Sequence, residues 1–219
     1  CKIYSAAIRD FESIESPQQS EFKFLFAKAD ESIFNQIKGI VNKDVETIKI
    51  IAPFYDSEGV LINTLKSTFN PKMINCAIDE SYGYIPHMIK EANDIQFFHW
   101  HEIFRTENQF ELAKKLHAKA IQFETSEGNF LVLGSANATN AAFGLNSHSF
   151  NDEANIIIHS LKEDFFKKLG IYFNPKCAQS IKNFNSATKY NIRTANKTLL
   201  THITLCERHL NDKLYISFD

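Results

Sequence analysis

Residues 116–144 read LHAKAIQFETSEGNFLVLGSANATNAAFG and predict two consecutive β-strands. The first strand-like run is LHAKAIQF (116–123), the second is NFLVLGS (129–135), and the polar turn ETSEG lies between them. Because side chains along a strand point alternately to opposite faces, we expect His117 and Lys119 on the same face. The stretch therefore predicts one imidazole and one ammonium group held side by side on a rigid element.

A turn of small and polar residues follows the second run. Gly134 and Ser135 end the strand, Asn137 follows, and a helix is predicted to begin within NATNAAF. The first N–H groups of a helix lack partners inside it and lie at the positive end of its dipole, so they suit a phosphate. Glu153 opens a third predicted strand, where its carboxylate can accept the Nδ1–H of a histidine and leave Nε2 free to attack. We expect it at the same end of the sheet as His117.

Strand-like and helical patterns alternate through the rest of the chain. IKIIAPFY (48–55) is a continuous apolar run typical of a strand buried on both faces, and VLINTLKSTF (60–69) has a helical period. Further strands are predicted at 73–79, 95–104 and 153–159, and further helices at 30–41, 84–93 and 162–173. This alternation predicts an α/β sandwich with a mixed, mostly parallel sheet flanked by helices.

The length of 219 residues suits one large domain or one domain with an appendage. We expect a leading segment over 1–30, a catalytic domain over 31–175, and a β-rich C-terminal extension or the start of a following β domain over 176–219. The chain begins with Cys and ends on the strand-like run KLYISFD, so we expect it to be part of a longer protein.

The composition excludes several classes of protein. With 44% hydrophobic residues, only 7 Gly and only 5 Pro, the chain is neither a disordered tail nor a fibrous repeat. No run approaches the ~18 apolar residues of a membrane span. The 4 cysteines are scattered without a Cys-x-x-Cys pair, which argues against a disulfide framework and a zinc ribbon. We therefore expect a soluble, cytoplasmic protein with reduced thiols and no stable membrane association.

Charge is distributed unevenly along the chain. Residues 1–153 carry 14 Lys/Arg against 21 Asp/Glu, whereas residues 154–219 carry 10 against 5. A basic C-terminal segment can meet phosphate groups, and it can equally be a solvated positive face. The sequence leaves both interpretations open.

The order of these motifs resembles the phospholipase D superfamily, in which His-x-Lys-x4-Asp precedes Gly-Ser-x-x-Asn. The matching residues here are His117-Ala-Lys119, Glu124, and Gly134-Ser135-Ala-Asn137. Thr139 and the run Asn151-Asp152-Glu153 are similar to nuclease-type branches of that family. The resemblance is best over 116–156, and it extends more loosely to the run IKIIAPFYDSEG.

The sequence departs from the family pattern in three respects. Glu124 stands where the family usually has Asp, and the gap from it to Gly134 is longer than is common. Asn137 follows Ser135 by two residues, a spacing also found in nuclease-like members. Since the family's acidic residue is mostly structural, the chemistry that the resemblance implies is little affected.

The resemblance implies a phosphodiesterase that needs no metal and no cofactor. In this reading His117 attacks phosphorus and becomes a phosphohistidine, and Glu153 orients it. Lys119 and Asn137 bind the non-bridging oxygens with help from Ser135. Gly134 and Thr139 are further substrate-binding candidates.

A second histidine must protonate the leaving oxygen and later activate water. The chain has only one His-x-Lys, because none of the other seven histidines has a Lys two positions on: His87, His99, His101, His148, His159, His202 and His209. Single-motif members of the family typically form homodimers that join two copies across a two-fold axis. The alternative is a second phospholipase D-like half elsewhere in a longer chain, and the sequence does not decide between them.

The function expected from these observations is a nuclease that cleaves DNA or RNA, with DNA favoured. Two alternatives remain open: a non-catalytic nucleic-acid-binding or assembly module of a larger DNA-processing or defence protein, and a phospholipid phosphodiesterase or transferase. His99-Trp100-His101-Glu102 offers a rival metal pair. No third ligand is evident nearby, so ordinary strand residues are the favoured interpretation there.

Overall fold

The computed structural model describes residues 22–27, 31–79, 83–90, 92–104, 116–145 and 151–186, together with the backbone of two short strands near the C-terminus. The chain divides into two units, Cys1–Thr188 and Lys189–Asp219, which are described separately. The strands of the first unit are β1 (Phe22–Phe26), β2 (Val45–Ile51), β3 (Met73–Ile78), β4 (Ile95–His99), β5 (Ala120–Thr125), β6 (Gly128–Gly134) and β7 (Ala154–Ser160). Its α-helices are α1 (Ile33–Ile40), α2 (Val60–Phe69), α3 (Trp100–Ile103), α4 (Asn140–Phe143) and α5 (Phe165–Lys168), followed by the 3₁₀ turns Pro175–Cys177 and Ile181–Asn183.

The seven strands form one mixed sheet in the order β1-β7-β6-β5-β2-β3-β4. The α/β fold with a mixed sheet flanked by helices is confirmed, but the predicted predominance of parallel strands is wrong. Only β2–β3 and β3–β4 are parallel, and the other four neighbouring pairs are antiparallel. The physical reason is the two-residue turn at Ser126–Glu127, which reverses the chain between β5 and β6. A parallel pair needs a crossover of a dozen or more residues.

The register brings several strand ends to one edge of the sheet. Ala120 at the start of β5 pairs with Ile51 at the end of β2 and with Leu133 of β6. Gly134 at the end of β6 pairs with Asn155 near the start of β7. We call this edge, which carries the start of β5, the end of β6 and the start of β7, the site edge.

Each face of the sheet packs into its own apolar cluster. On one face, helices α1 and α2 bury Ile37 and Leu65 against strand residues such as Ile48. Ser32 caps α1 by accepting the Asn35 N–H. On the other face, Phe166, Ile171 and Trp100 are among the buried side chains that pack against Ile51, Ala77 and Phe98. These two layers fix the strands, and therefore the strand ends at the site edge.

Glu124 belongs to a polar cluster on the second face of the sheet. Its carboxylate accepts hydrogen bonds from the Lys49 ammonium and from Gln122 Nε2, the latter at 3.0 Å. Gln122 Nε2 also donates to Asp164 Oδ1 at 3.0 Å, and Gln122 Oε1 accepts the Phe166 N–H at 3.0 Å. Glu124 therefore links β2 with β5, and Lys49 and Gln122 extend the cluster to Asp164 before α5, so the observed contacts of Glu124 are structural.

Two predicted helices are wrong in whole or in part. Residues 83–90 form turns and an isolated bridge instead of the helix predicted at 84–93. Ile85 precedes Pro86, which disfavours the helical conformation at Ile85, and Ile85 pairs with Ser186 instead. The helix predicted at 162–173 is reduced to the four residues of α5, and Gly170 has a φ of 76° beyond it.

The predicted chain ends are only partly described. Strand β1 lies inside the predicted leading segment 1–30, for which the sequence analysis predicts no strand, while residues 1–21 and 28–30 fall outside the described residues. In the second unit, Arg208–Leu210 (β8) and Lys213–Tyr215 (β9) form an antiparallel pair, and the rest of that unit lies outside the described residues. In the described part of the chain, no helix is long and apolar enough to cross a membrane.

Asp164 should make a pH-dependent contribution to stability. Burial alone raises the pKa of Asp164, but hydrogen bonds from Gln122 and the Lys167 amide, with the charge of Lys49, outweigh it and lower that pKa below its ordinary value. A carboxyl whose pKa falls on folding stabilises the fold above its unfolded pKa of about 3.9, and loses this contribution as the pH falls through the folded value. Urea unfolding should show wild type more stable than Asp164→Asn at neutral pH, with the difference shrinking below about pH 4.

The control is Asp44→Asn, which changes an exposed carboxylate. We expect its free energy of unfolding to follow that of wild type at every pH. A difference between wild type and Asp164→Asn that stays constant down to about pH 2.5 would contradict the assigned role of the carboxylate.

Candidate active site

The segment that carries His117 and Lys119 leads into β5. The strand predicted at 116–123 begins only at Ala120, because residues 116–119 lie outside the regular ladder of the sheet. The Lys119 carbonyl accepts the Gly134 N–H at 3.3 Å, which aligns the segment with the end of β6. Lys119 Nζ donates to the His117 carbonyl oxygen at 2.9 Å, and the His117 side chain is exposed. The ammonium group therefore lies beside the residue that carries the imidazole.

The Gly134–Ser135 turn at the end of β6 is hydrogen-bonded to the start of β7. The Ser135 N–H donates to the Ala154 carbonyl at 3.1 Å, and Ser135 Oγ accepts the Ala154 N–H at 3.0 Å. Ser135 Oγ in turn donates to Glu153 Oε2 at 2.5 Å. The structure thus brings the predicted site residues Ser135 and Glu153 into direct contact.

The Glu153 carboxylate has a second partner, because Asn151 Nδ2 donates to its Oε1 at 3.1 Å. Within the described residues, no hydrogen bond joins Glu153 to His117. The expected contact that orients the imidazole is therefore not formed, and the carboxylate is held by Ser135 and Asn151.

Asn137 lies in a turn that is hydrogen-bonded to the loop after β2. The Ala138 N–H donates to the Phe54 carbonyl at 3.1 Å, and the Asp56 N–H donates to the Ala138 carbonyl at 3.2 Å. Asn137 Oδ1 is buried and has no hydrogen-bond partner among the described residues. The backbone beside Asn137 is therefore fixed, while its side-chain amide makes no hydrogen bond within the described part of the chain.

The helix expected after Ser135 begins within the predicted run NATNAAF. Helix α4 starts at Asn140 and has four residues, and the Thr139 hydroxyl accepts the Ala142 N–H at 3.3 Å as its N-cap. The Thr139 cap satisfies one N–H at this short helix start, and the phosphate seat expected there stays a prediction. Thr139, a predicted substrate-binding residue, makes the cap contact in this structure.

Three buried polar residues near the site were not predicted. Asp79 Oδ2 accepts the Leu116 N–H at 2.9 Å, and Asn155 Oδ1 accepts the Ala136 N–H at 3.2 Å. The Tyr55 hydroxyl donates to the Ala77 carbonyl at 2.9 Å. Burial, and then the neighbouring Cys76, raise the pKa of this phenol well above its ordinary value. Each of the three lies within or directly after an apolar run. A polar residue at such a position is the sequence signal that could have found them.

His99 and His101, the rival metal pair, do not lie on one strand as predicted. The strand predicted at 95–104 ends at His99, and His101 lies in α3. The two rings stack with centroids 5.8 Å apart, and the Glu102 carboxylate accepts hydrogen bonds from Gln179. Among the residues described, no group of three His, Cys, Asp or Glu side chains could hold a metal ion.

The basic segment lies partly away from the site edge. Strand β7 runs from Ala154 at the site edge to Ser160 at the opposite edge, and Lys162 follows directly. Lys167 and Lys168 follow in and around α5. Lys162 therefore lies at the edge opposite to the site edge.

No protein-family model and no curated protein sequence matches the chain. Among solved structures, yeast tyrosyl-DNA phosphodiesterase is similar at 15% identity with a TM-score of 0.40, over 62% of this chain and 31% of that chain. NucT from Helicobacter pylori is similar at 14% identity with a TM-score of 0.42, over 68% of this chain and 89% of that chain. Nuc from Salmonella typhimurium, a phospholipase D family member, is similar at 14% identity with a TM-score of 0.37, over 64% and 83%. The chain thus spans less than a third of the yeast enzyme.

A methyl group at position 134 should disrupt the site edge. In Gly134→Ala the added Cβ would lie 2.3 Å from the Ala154 carbonyl oxygen and 2.4 Å from Asn155 Oδ1, so the backbone of β6 or β7 would have to move. We expect the free energy of unfolding, measured in urea, to fall by about 3 kcal/mol.

Gly39→Ala is the matched control. Gly39 lies in α1 with nothing within 4 Å of an added Cβ. We expect this change to raise the free energy of unfolding by about 0.5–1 kcal/mol, since Ala favours a helix over Gly. A Gly134→Ala variant as stable as wild type would show that β6 and β7 do not need their close approach.

Proposed function

We propose that this chain is a metal-independent phosphodiesterase that cleaves nucleic acid, with DNA favoured over RNA, through a phosphohistidine on His117. The observation that supports this most strongly is the set of contacts at the site edge. The His117 side chain is exposed and the Lys119 ammonium donates to the His117 carbonyl oxygen, while the hydrogen-bonded pair Ser135 and Glu153 lies at the end of β6 and the start of β7. A nucleophile, a cation and a hydroxyl–carboxylate pair are the groups that such a reaction uses.

In the first step of the proposed reaction, Nε2 of His117 attacks phosphorus. A P–N bond forms as the P–O bond to the leaving group breaks, and a second histidine gives its proton to the leaving oxygen. In the second step, that histidine takes a proton from water, whose oxygen attacks phosphorus as the P–N bond breaks. The products are a phosphomonoester and an alcohol, and His117 is regenerated.

Lys119 and Asn137 are proposed to bind the non-bridging oxygens of the phosphate. The Lys119 ammonium uses one N–H on the His117 carbonyl, so two further N–H donors remain. Asn137 Nδ2 donates no hydrogen bond within the described residues. Preorganised donors at the place where negative charge develops lower the barrier, typically by about 3 kcal/mol each.

Glu153 is proposed to accept the Nδ1–H of His117 once substrate is bound. Each oxygen of an ionised carboxylate can accept about two hydrogen bonds, so the contacts from Ser135 and Asn151 leave capacity for the imidazole. In this scheme Ser135 positions the carboxylate, and Gly134 and Thr139 shape the turn that faces the substrate.

The first test is cleavage of plasmid DNA, single-stranded DNA and RNA in excess EDTA. We expect wild type to cleave at least one of these substrates, and His117→Ala to lose at least about 10³-fold in rate because the nucleophile is gone. Lys119→Ala should lose about 10²–10³-fold, since one charge-stabilising donor is removed. Mass spectrometry of acid-labile adducts should detect a phosphohistidine on wild type only.

His159→Ala is the control, because it removes another exposed histidine near the opposite edge of the same sheet. Its cleavage rate should stay within about twofold of wild type. Cleavage that requires a metal, or that survives in His117→Ala, would overturn the proposed mechanism. If wild type retains nucleic acid without cleaving it, the binding-module alternative holds. Hydrolysis of phospholipid vesicles alone would favour the lipid enzyme.

We propose further that the second histidine is His117 of a partner copy in a homodimer. Mixing wild type with His117→Ala under conditions of subunit exchange tests this. If both copies must supply a histidine, activity per total protein should fall with the square of the wild-type fraction. Sedimentation should confirm dimers in every mixture. A linear dependence on the wild-type fraction would mean that each chain acts alone, and would contradict the shared site.

A further inference from the structure

Besides the Tyr55 phenol, four polar or charged side chains of the described residues are buried: Asn75, Asp79, Gln122 and Asn155. Two of these, Asp79 and Asn155, accept backbone N–H groups from the segments that carry the candidate catalytic residues. Asp79 is the one with an ionisable group, and it is 5% exposed. A buried carboxylate is costly to desolvate unless donors compensate it, so its location calls for an explanation.

Asp79 lies directly after β3, and the chain closes tightly over it. Its carbonyl accepts the Gly83 N–H at 2.8 Å, and a Cβ at Gly83 would lie 2.5 Å from that carbonyl oxygen. Its side chain turns to the segment before β5, where Oδ2 accepts the Leu116 N–H at 2.9 Å. The hydrogen bond connects two segments 37 residues apart in the sequence.

This bond fixes one end of the segment that carries His117. Leu116 is 4% exposed and packs into the apolar cluster of the second sheet face, while its N–H is bound to Asp79. At the other end, the Lys119 carbonyl is bound to the Gly134 N–H. Only His117 and Ala118 lie between these two anchored residues, so the backbone of His117 is held although its side chain is exposed.

We infer that Asp79 is a positioning residue for the nucleophile: its carboxylate sets the backbone of residues 116–117 and thereby the place from which the His117 imidazole attacks. The inference rests on the proposed function for its chemical consequence. In-line attack needs the reacting atoms within about 3–3.5 Å, and a misplacement of about 1 Å can cost about 10²-fold in rate. Asp79 itself does not touch the substrate.

The test compares Asp79→Ala with Asp79→Asn. Ala removes the acceptor for the Leu116 N–H, so we expect kcat to fall about 10²-fold with KM within about threefold of wild type. Asn keeps an oxygen at the same position, so Asp79→Asn should recover most of that loss. A merely structural role would lower the amount of folded protein and would leave the kcat of the folded fraction unchanged.

Gln122→Ala is the matched control, because Gln122 is 0% exposed and its Oε1 accepts the Phe166 N–H in a bond of similar length, 3.0 Å. We expect it to lower the free energy of unfolding while the kcat of the folded fraction stays within about twofold of wild type. An equal loss of kcat in Gln122→Ala and Asp79→Ala would overturn the inference.

Amide hydrogen exchange gives a readout that does not need activity. The Leu116 amide should exchange at least about tenfold faster in Asp79→Ala than in wild type, with protection restored in Asp79→Asn. Unchanged exchange at Leu116 in Asp79→Ala would overturn the inference whatever the enzyme assays show. If wild type cleaves no substrate, the proposed function fails, and faster exchange in Asp79→Ala would still establish that Asp79 holds the segment.

Discussion

The close approach of β6 to β7 at Gly134 is the constraint on which the candidate site depends. No side chain fits between the Gly134 backbone and the Ala154 carbonyl oxygen, which a Cβ would reach at 2.3 Å. Because the two strands meet so closely, Ser135 can both accept the Ala154 N–H and donate to the Glu153 carboxylate. The glycine therefore matters for the distance it allows between two backbones, and the hydroxyl–carboxylate pair is a consequence of that distance.

The residues that fix the backbone of the site differ from the residues that are proposed to react with the substrate. Asp79 and Asn155 are buried and bind backbone N–H groups, whereas the His117 side chain is exposed. A buried hydrogen bond between a side chain and the backbone resists displacement, because breaking it would leave a polar group without a partner in a low-dielectric environment. Exposed groups held by such bonds can meet a polymer substrate and still keep a defined position.

The sequence predicted the parts of the fold that depend on local patterns. Examples are the apolar runs of β2 and β3, the helical period of α2 and the polar turn before Gly128. Each of these local patterns predicts the element that it forms. The order of the motifs placed Ser135 and Glu153 in the same candidate site, but their direct hydrogen bond was not predicted. Asp79 could not be assigned, since its role appears only when β3 and the segment before β5 meet across 37 residues. The direction of the strands was missed for the same reason, because short turns and long crossovers decide it and hydrophobic periodicity does not.

A phosphohistidine pathway needs two groups that handle protons, because the leaving oxygen must gain one and the water must lose one. His117 can serve as neither while its Nε2 is bonded to phosphorus. Of the groups near it, the Lys119 ammonium is proposed to stabilise the negative charge of the phosphate. The Glu153 carboxylate already accepts hydrogen bonds from Ser135 and Asn151. An exposed imidazole with a fixed backbone suits a site that is completed from outside the chain. A two-fold axis that brings two copies of this edge together would give each nucleophile the other's histidine as its acid and base.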